Sequence, residues 1–182
     1  MSTFKTRGLR GSLLEQLINQ TNDYYQENHL AVVQKIPTPI TPVEMDSKRM
    51  ITKAFFEKKS TVDYIGVVQG IPVCFDAKEC HENTFPLANI HDHQIQWMTE
   101  FERQKGITFL LIYFTKLEKF YYMTYDKMMV FFDRSMSGGR KSFTLEELDE
   151  EFFFTSRAGL MVPYLDMLQK DLNIRDSKGV QQ

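Results

Sequence analysis

Asp63, Asp76 and Lys78 lie in the arrangement Asp63-x12-Asp76-x-Lys78, two carboxylates and one ammonium on two short runs rich in valine and isoleucine. Strand side chains alternate faces, so Thr61 shares a face with Asp63, and Asp76 shares one with Lys78. A hairpin turning at Gln69-Gly70, with Val68 facing Ile71, sets Asp63 opposite Asp76 and Thr61 opposite Lys78. Opposed carboxylates repel and destabilise a sheet unless a cation lies between them. A divalent ion taking oxygen ligands, Mg2+ in particular, answers that repulsion together with the Lys78 ammonium. The chemistry is then metal-dependent hydrolysis. The plain alternative is a strand-end turn at Asp63 and a solvated edge charge at Lys78.

Around this hairpin the chain reads as helices alternating with strands, without internal repeats. Residues 12–28 carry Leu13, Leu14, Leu17, Ile18, Thr21 and Tyr25 as an apolar helical stripe. Residues 29–36 read as a short buried strand. Pro37, Pro39 and Pro42 stop regular structure, so 37–53 is expected to be an extended excursion. Beyond the hairpin, Asn89 is placed to cap a helix that reaches Gln104 and ends near Gly106. The apolar run 107–115 fits a central strand, with 119–124 beside it and a short helix over 125–133. Thr144-x-x-Glu147 has the form of a capping box. Pro163 opens a last helix over 164–172, followed by a frayed polar tail. The pattern is a layered α/β domain with a mixed sheet.

The 182 residues, 42% of them hydrophobic, suit one globular domain with a real core. No stretch approaches twenty apolar residues and the start has no apolar signal core, so neither membrane nor export is expected. Cys74 and Cys80 are too few for a disulfide framework and read as thiols of a reducing, cytoplasmic interior. Cys74, on the strand face of Asp76, either touches the site or fills a small gap. The net charge of −2 excludes a uniformly basic nucleic-acid binder, but phosphate binding depends on where the charges lie. Lys5, Arg7 and Arg10 cluster at the start, and Lys48, Arg49, Lys53, Lys58 and Lys59 precede the hairpin. Arg134, Arg140 and Lys141 flank Gly138-Gly139. Basic groups on both sides of a carboxylate hairpin suit a duplex held across it.

Glu15, on the first helix, is either a carboxylate over the hairpin able to hold a metal-bound water or a surface glutamate. His91-x-His93 invites a zinc reading, but side chains two apart on a helix point about 200° apart and do not readily share one ion. Gln94 is the better candidate, its amide oxygen placed to complete an oxygen shell or to orient water. Gly138-Gly139-Arg140-Lys141 either clamps a backbone phosphate or forms a solvated turn.

The acid and lysine spacing has the form of the PD-(D/E)XK nuclease core, and nearly the whole chain resembles one family within it, the RecU Holliday-junction resolvases. The resemblance runs through Arg10-Gly11 with Leu14-Glu15, Asn22 with Tyr24-Tyr25, Pro37-Thr38-Pro39 and Ala54-Phe55-Phe56. It continues in Ser60-Thr61-Val62-Asp63-Tyr64-x-Gly66 and Phe75-Asp76-Ala77-Lys78-Glu79. Phe85-Pro86-Leu87, His91-Asp92-His93-Gln94, Asp133-Arg134 and Gly139-Arg140-Lys141-Ser142 complete it.

That resemblance implies a restriction-endonuclease-like core, a mixed central sheet flanked by helices, with a protruding stalk over about 37–53. The whole, 1–182, would be one nuclease domain with flexible termini, about 1–6 and 174–182. It implies that Thr61, Asp63, Asp76 and Gln94 bind Mg2+, for which Mn2+ can substitute, and that Lys78 stabilises the transition state. Arg10 and Glu15 match a conserved N-terminal motif. Arg10, Lys48, Arg49, Lys53, Arg140 and Lys141 are the residues expected on DNA. The implied activity is resolution of Holliday junctions by symmetric nicking, in recombination and DNA repair. Two nicks need two sites, so a twofold homodimer is expected; Phe152-Phe153-Phe154 serve either that contact or the core. A RecA-type recombinase and a branch-migration motor are partners by resemblance alone. In two places the chain departs from the pattern: Asp76 stands where a glutamate is usual, and Val62 replaces a polar residue. The arm before Arg7 is also shorter than in relatives. Two other readings stay open, a nuclease of ordinary duplex DNA and a junction-binding or strand-annealing protein without catalysis.

Overall fold

A computed structural model describes residues 13–56 and 61–179; Arg10, Lys58, Lys59 and the expected arm at 1–6 lie outside them. In chain order the helices are α1 (Leu13–Glu27), α2 (Asp92–Arg103), α3 (Tyr125–Met136) and α4 (Tyr164–Gly179). The strands are β1 (Ala31–Lys35), β2 (Ile40–Met45), β3 (Ile51–Phe56), β4 (Tyr64–Val68), β5 (Ile71–Cys80) and β6 (Thr84–Pro86). They continue as β7 (Ile107–Phe114), β8 (Lys119–Thr124), β9 (Ser142–Thr144) and β10 (Phe153–Phe154).

The central sheet has the order β1-β4-β5-β7-β8-β10. Only β5 and β7 run parallel, and α2 lies on the crossover between them. The sheet is therefore mixed and flanked by helices, as expected. The β4–β5 register is also as expected: Tyr64 faces Phe75 and Val68 faces Ile71. Gln69 and Gly70 both have positive φ, 48° and 87°, the conformation a two-residue primed turn requires. Gly66 has a different role. A Cβ there would stand 2.2 Å from the Val32 carbonyl oxygen, so only glycine lets β1 lie against β4.

One face of the sheet holds a row of stacked rings across four strands. Tyr64 to Phe75 is 4.8 Å between centroids, Phe75 to Phe109 is 4.6 Å and Phe109 to Tyr122 is 4.3 Å. Each such pair contributes about 0.5–1.5 kcal/mol beyond its burial. Helices α1 and α4 cover this face: Tyr64 reaches Asn19 with its hydroxyl, and Tyr164 tilts against Phe75. Period two sends Asp76 and Lys78 to the other face, under α2.

Three expectations need correction. The segment 37–53 is regular: β2 and β3 pair as an antiparallel ribbon from Ile40–Phe56 to Met45–Ile51. Pro42 is tolerated because the two-stranded ribbon is all edge, and the register shifts between Pro42 and Glu44. The cap of α2 is His91 rather than Asn89, which ends a 3-10 turn at Leu87–Asn89. The last helix continues past Leu172 to Gly179, because Arg175 pairs with Glu102 at 2.7 Å and with Asp171 at 3.0 Å. Polarity alone misread that turn.

Candidate active site

Asp76 is fully buried in the middle of β5, and its neighbours come from three directions. Gln94, in the first turn of α2, donates its side-chain NH2 to Asp76 Oδ1 at 2.7 Å. Lys78, two residues along the same face, brings its ammonium against Asp76 Oδ2. Asp63 lies one step beyond the last β4–β5 ladder pair, and its Oδ2 accepts from the Ala77 backbone N–H at 3.0 Å. Its main chain still belongs to the sheet, since Ile36 N–H donates to the Asp63 carbonyl at 2.8 Å. Thr61 is half-buried, two residues before Asp63. The structure thus gathers Asp63, Asp76, Lys78 and Gln94.

Burial, first, and the Asp63 charge, second, push the Asp76 carboxyl up to about 7; Lys78 opposes them without overcoming them. An acid in that position is short of positive charge. Its Oδ2 is buried and has no hydrogen-bond partner of acceptable geometry, although the Lys78 ammonium lies beside it. Two carboxylates facing one another with a single ammonium between them and solvent fit a hard divalent cation. Among the described residues no group of three or more His, Cys, Asp and Glu could hold a metal, so neutral oxygens and water would complete the shell.

Gln94 meets the cluster through its amide nitrogen. Its Oε1 accepts from the His91 backbone N–H at 3.0 Å and lies 3.5 Å from Lys78 Nζ, which leaves the NH2 for Asp76. The His91 N–H must find an acceptor, so the capping box fixes which end of the amide is which. His91 itself is extended, not helical, and the 200° separation therefore does not apply: its ring stacks on His93 at 5.4 Å.

Glu15 sits on the α1 face, its carboxylate 2.5 Å from Lys35 Nζ. Lys35 carried no signal in the sequence; Glu79 stood there only as the end of the Phe75–Glu79 motif, and its Oε1 accepts the Leu14 N–H at 2.9 Å and ties α1 to the strand of Lys78. Cys74 is buried in the core.

The basic residues separate into two places. Lys48 and Arg49 form the tip of the β2–β3 ribbon, where Asp46 Oδ1 accepts from Lys48 N–H and Met50 N–H at 2.8 Å. Lys53 faces Glu44 across the ribbon at 3.6 Å. Arg140 and Lys141 lie far along the chain, in the turn after α3, and the Lys141 carbonyl accepts from Leu87 N–H at 3.0 Å. Phe152, Phe153 and Phe154 pack into or against the core beside β8.

A mixed sheet presenting two aspartates and a lysine under a helix N-terminus has the donor set of a metal-dependent hydrolase. The sequence matches the family Recombination protein U, RecU, over residues 9–170, and the chain belongs to that family. It is 41% identical over 169 residues to the Holliday junction resolvase RecU of Lactiplantibacillus plantarum, covering 88% of this chain and 81% of that one. The Holliday junction resolvase RecU of Limosilactobacillus reuteri is 40% identical over 167 residues, covering 88% and 82%. That of Listeria monocytogenes is 42% identical over 150 residues, covering 80% and 75%. Among solved structures, Hjc, a Holliday junction resolvase of Archaeoglobus fulgidus, aligns over 63% of this chain and 75% of its own at 7% identity, with a TM-score of 0.36.

Proposed function

We propose that this protein is a Mg2+-dependent endonuclease that resolves Holliday junctions by nicking paired strands symmetrically, acting as a homodimer in cytoplasmic recombination and DNA repair. The observation that carries the reading is the buried Asp76 carboxylate, paired with Lys78 and facing Asp63, in a chain of the RecU family. Asp63 and Asp76 would hold the metal, with Thr61 as a neutral oxygen donor. Gln94 would join them only with its amide turned; as it stands, it orients Asp76. Bound there, the metal supplies Lewis acidity and a water of lowered pKa.

The protein's own groups do the rest. Lys78 offers a fixed positive charge where negative charge grows on the phosphate in the transition state. The α2 capping box holds Gln94, and through it the Asp76 carboxylate, in one orientation. Lys48, Arg49 and Lys53 on the ribbon would meet the junction as a projecting arm, and Arg140 and Lys141 would take backbone phosphate. Arg10 and Glu15 would act from the N-terminal side. Contacts with a RecA-type recombinase and a branch-migration motor follow from the family alone. Among the described residues no helix is long and apolar enough to cross a membrane.

The test is cleavage of a mobile four-way junction with Mg2+, comparing the protein with Asp76→Ala. Paired symmetric nicks, lost in the variant while junction binding persists, are expected. Binding without nicks in either Mg2+ or Mn2+ would favour a non-catalytic junction binder, and equal cutting of linear duplex would remove junction selectivity.

A further inference from the structure

Arg134 closes the last turn of α3, and its guanidinium faces inward to the chain that follows it. One nitrogen pairs with Glu147, a second donates to the Ser142 carbonyl at 2.6 Å, and the plane lies 5.2 Å from the Phe131 ring centroid. Its Nε is buried with no hydrogen-bond partner. The intervening turn wraps around this side chain: Gly139 N–H donates to the Arg134 carbonyl at 2.9 Å. A Cβ on Gly139 would be 2.8 Å from both Arg134 Cγ and its carbonyl oxygen. Glu147, in turn, accepts the Thr144 N–H at 2.9 Å and meets Arg140 at 3.3 Å.

This knot is docked on the link between the two elements that carry the site. Strand β9 pairs with β6, which leads from Lys78 on β5 towards Gln94 on α2, and Phe143 stacks between Phe85 and Phe131 at 5.0 and 4.6 Å. The two arginines differ in how they hold Glu147. Arg134 meets it through one nitrogen, is tied by a second nitrogen to the Ser142 carbonyl, and is mostly covered. Arg140 is exposed and held at one point, the kind of surface pair that a phosphate displaces at little cost.

We propose that Arg134 is a positioning residue for junction binding: clamped on Glu147 and Ser142, it holds the turn at 137–141 so that Arg140 and Lys141 are presented to the phosphate backbone from the link between β5 and α2. When DNA arrives, Arg140 exchanges Glu147 for phosphate, and Arg134 keeps Glu147 and the turn in place. The proposal rests on the nuclease reading above.

A double-mutant cycle on four-way junction binding without divalent metal tests it, using Arg134→Gln, the pair Arg140→Ala with Lys141→Ala, and all three together. Removing Arg134 is expected to weaken binding roughly tenfold and to flatten the salt dependence by about one to two phosphate contacts. In the triple variant it should add almost nothing, because its effect passes through the turn. Arg134→Lys, which keeps the charge but not the fork, should fall between. Thermal melts of each variant separate loss of fold from loss of presentation. If Arg134→Gln unfolds, the same cycle is run with Arg134→Lys. Unchanged affinity in a folded variant, or additive losses in the cycle, would overturn the proposal. Wild-type nicking with Mg2+ is scored in parallel; if it is absent, the nuclease reading fails while the binding cycle still decides the role of Arg134.

Discussion

Gln94 faces Asp76 with nitrogen: its NH2 donates to Oδ1 at 2.7 Å while its oxygen is held by the His91 N–H at 3.0 Å. One side chain therefore both closes the N-terminus of α2 and aims the most deeply buried acid of the site. Gln94→Ala leaves the His91 N–H and Asp76 Oδ1 unpaired together. The Mg2+ concentration for half-maximal nicking is expected to rise about 10–100-fold, the range seen when a carboxylate ligand loses its orienting partner. A titration of activity against Mg2+ checks it, and an unchanged midpoint would contradict the role of Gln94.

Stability should depend on pH through Asp76. Its folded midpoint, about 7, lies above the unfolded 3.8, so the folded state holds the proton more tightly than the unfolded state does. By linkage, the favourable contribution is complete at low pH and is lost as pH rises from about 4 through 7. Asp76→Asn, which cannot ionise and can keep the Gln94 bond, is expected to match the wild type near pH 4. By pH 8 in a chelator it should exceed it by a few kcal/mol, on the order of 1.4 kcal/mol for each pH unit that the midpoint moves. Denaturant melts at several pH values decide, and adding Mg2+ at pH 8 should narrow the gap.

Gly66→Ala tests the packing of β1 on β4. The added methyl would collide with the Val32 carbonyl and Val33, both backbone-held, so no side-chain rotation relieves it. A loss of roughly 1–3 kcal/mol is expected, as for overpacking of a tight interior. The measurement is a urea midpoint; a neutral outcome would mean that β1 moves away freely.

Cutting the chain after Asn173 removes Arg175 and leaves Glu102 and the buried Asp171 without their cation. Breaking a buried pair from one side costs about 3–5 kcal/mol, discounted here because Arg175 keeps partial solvent access. The truncated protein should melt well below the full chain. A frayed tail, as polarity alone suggests, would predict no change.

The β4–β5 hairpin was legible because two independent signals agree: alternation on both sides and a Gln-Gly pair that accepts positive φ. Asp63 and Asp76 follow from that register, and Lys78 follows from Asp76. The ribbon was not legible because three prolines outweighed Ile40, Val43 and Ile51, and a two-stranded edge forgives a missing N–H. Glu15, Lys35 and Glu79 show a different limit. Their partners lie on other elements, and no local spacing reveals which group each will meet. The orientation of Gln94 was hidden for the same reason, since it depends on the His91 backbone.

The two ends of the ribbon excursion meet at the base of the sheet, where Lys35 faces Tyr64 and Ile36 reaches Asp63. The ribbon, Ile40–Phe56, is thus spliced into a junction that closes without it. Strand pairs can be added to or taken from the ribbon while β1 and β4 remain in register. Each pair moves Lys48 and Arg49 by about 3.3 Å. The ribbon's reach is therefore a length that the sheet does not dictate, while the spacing of Asp63 to Asp76 is fixed by a two-residue turn.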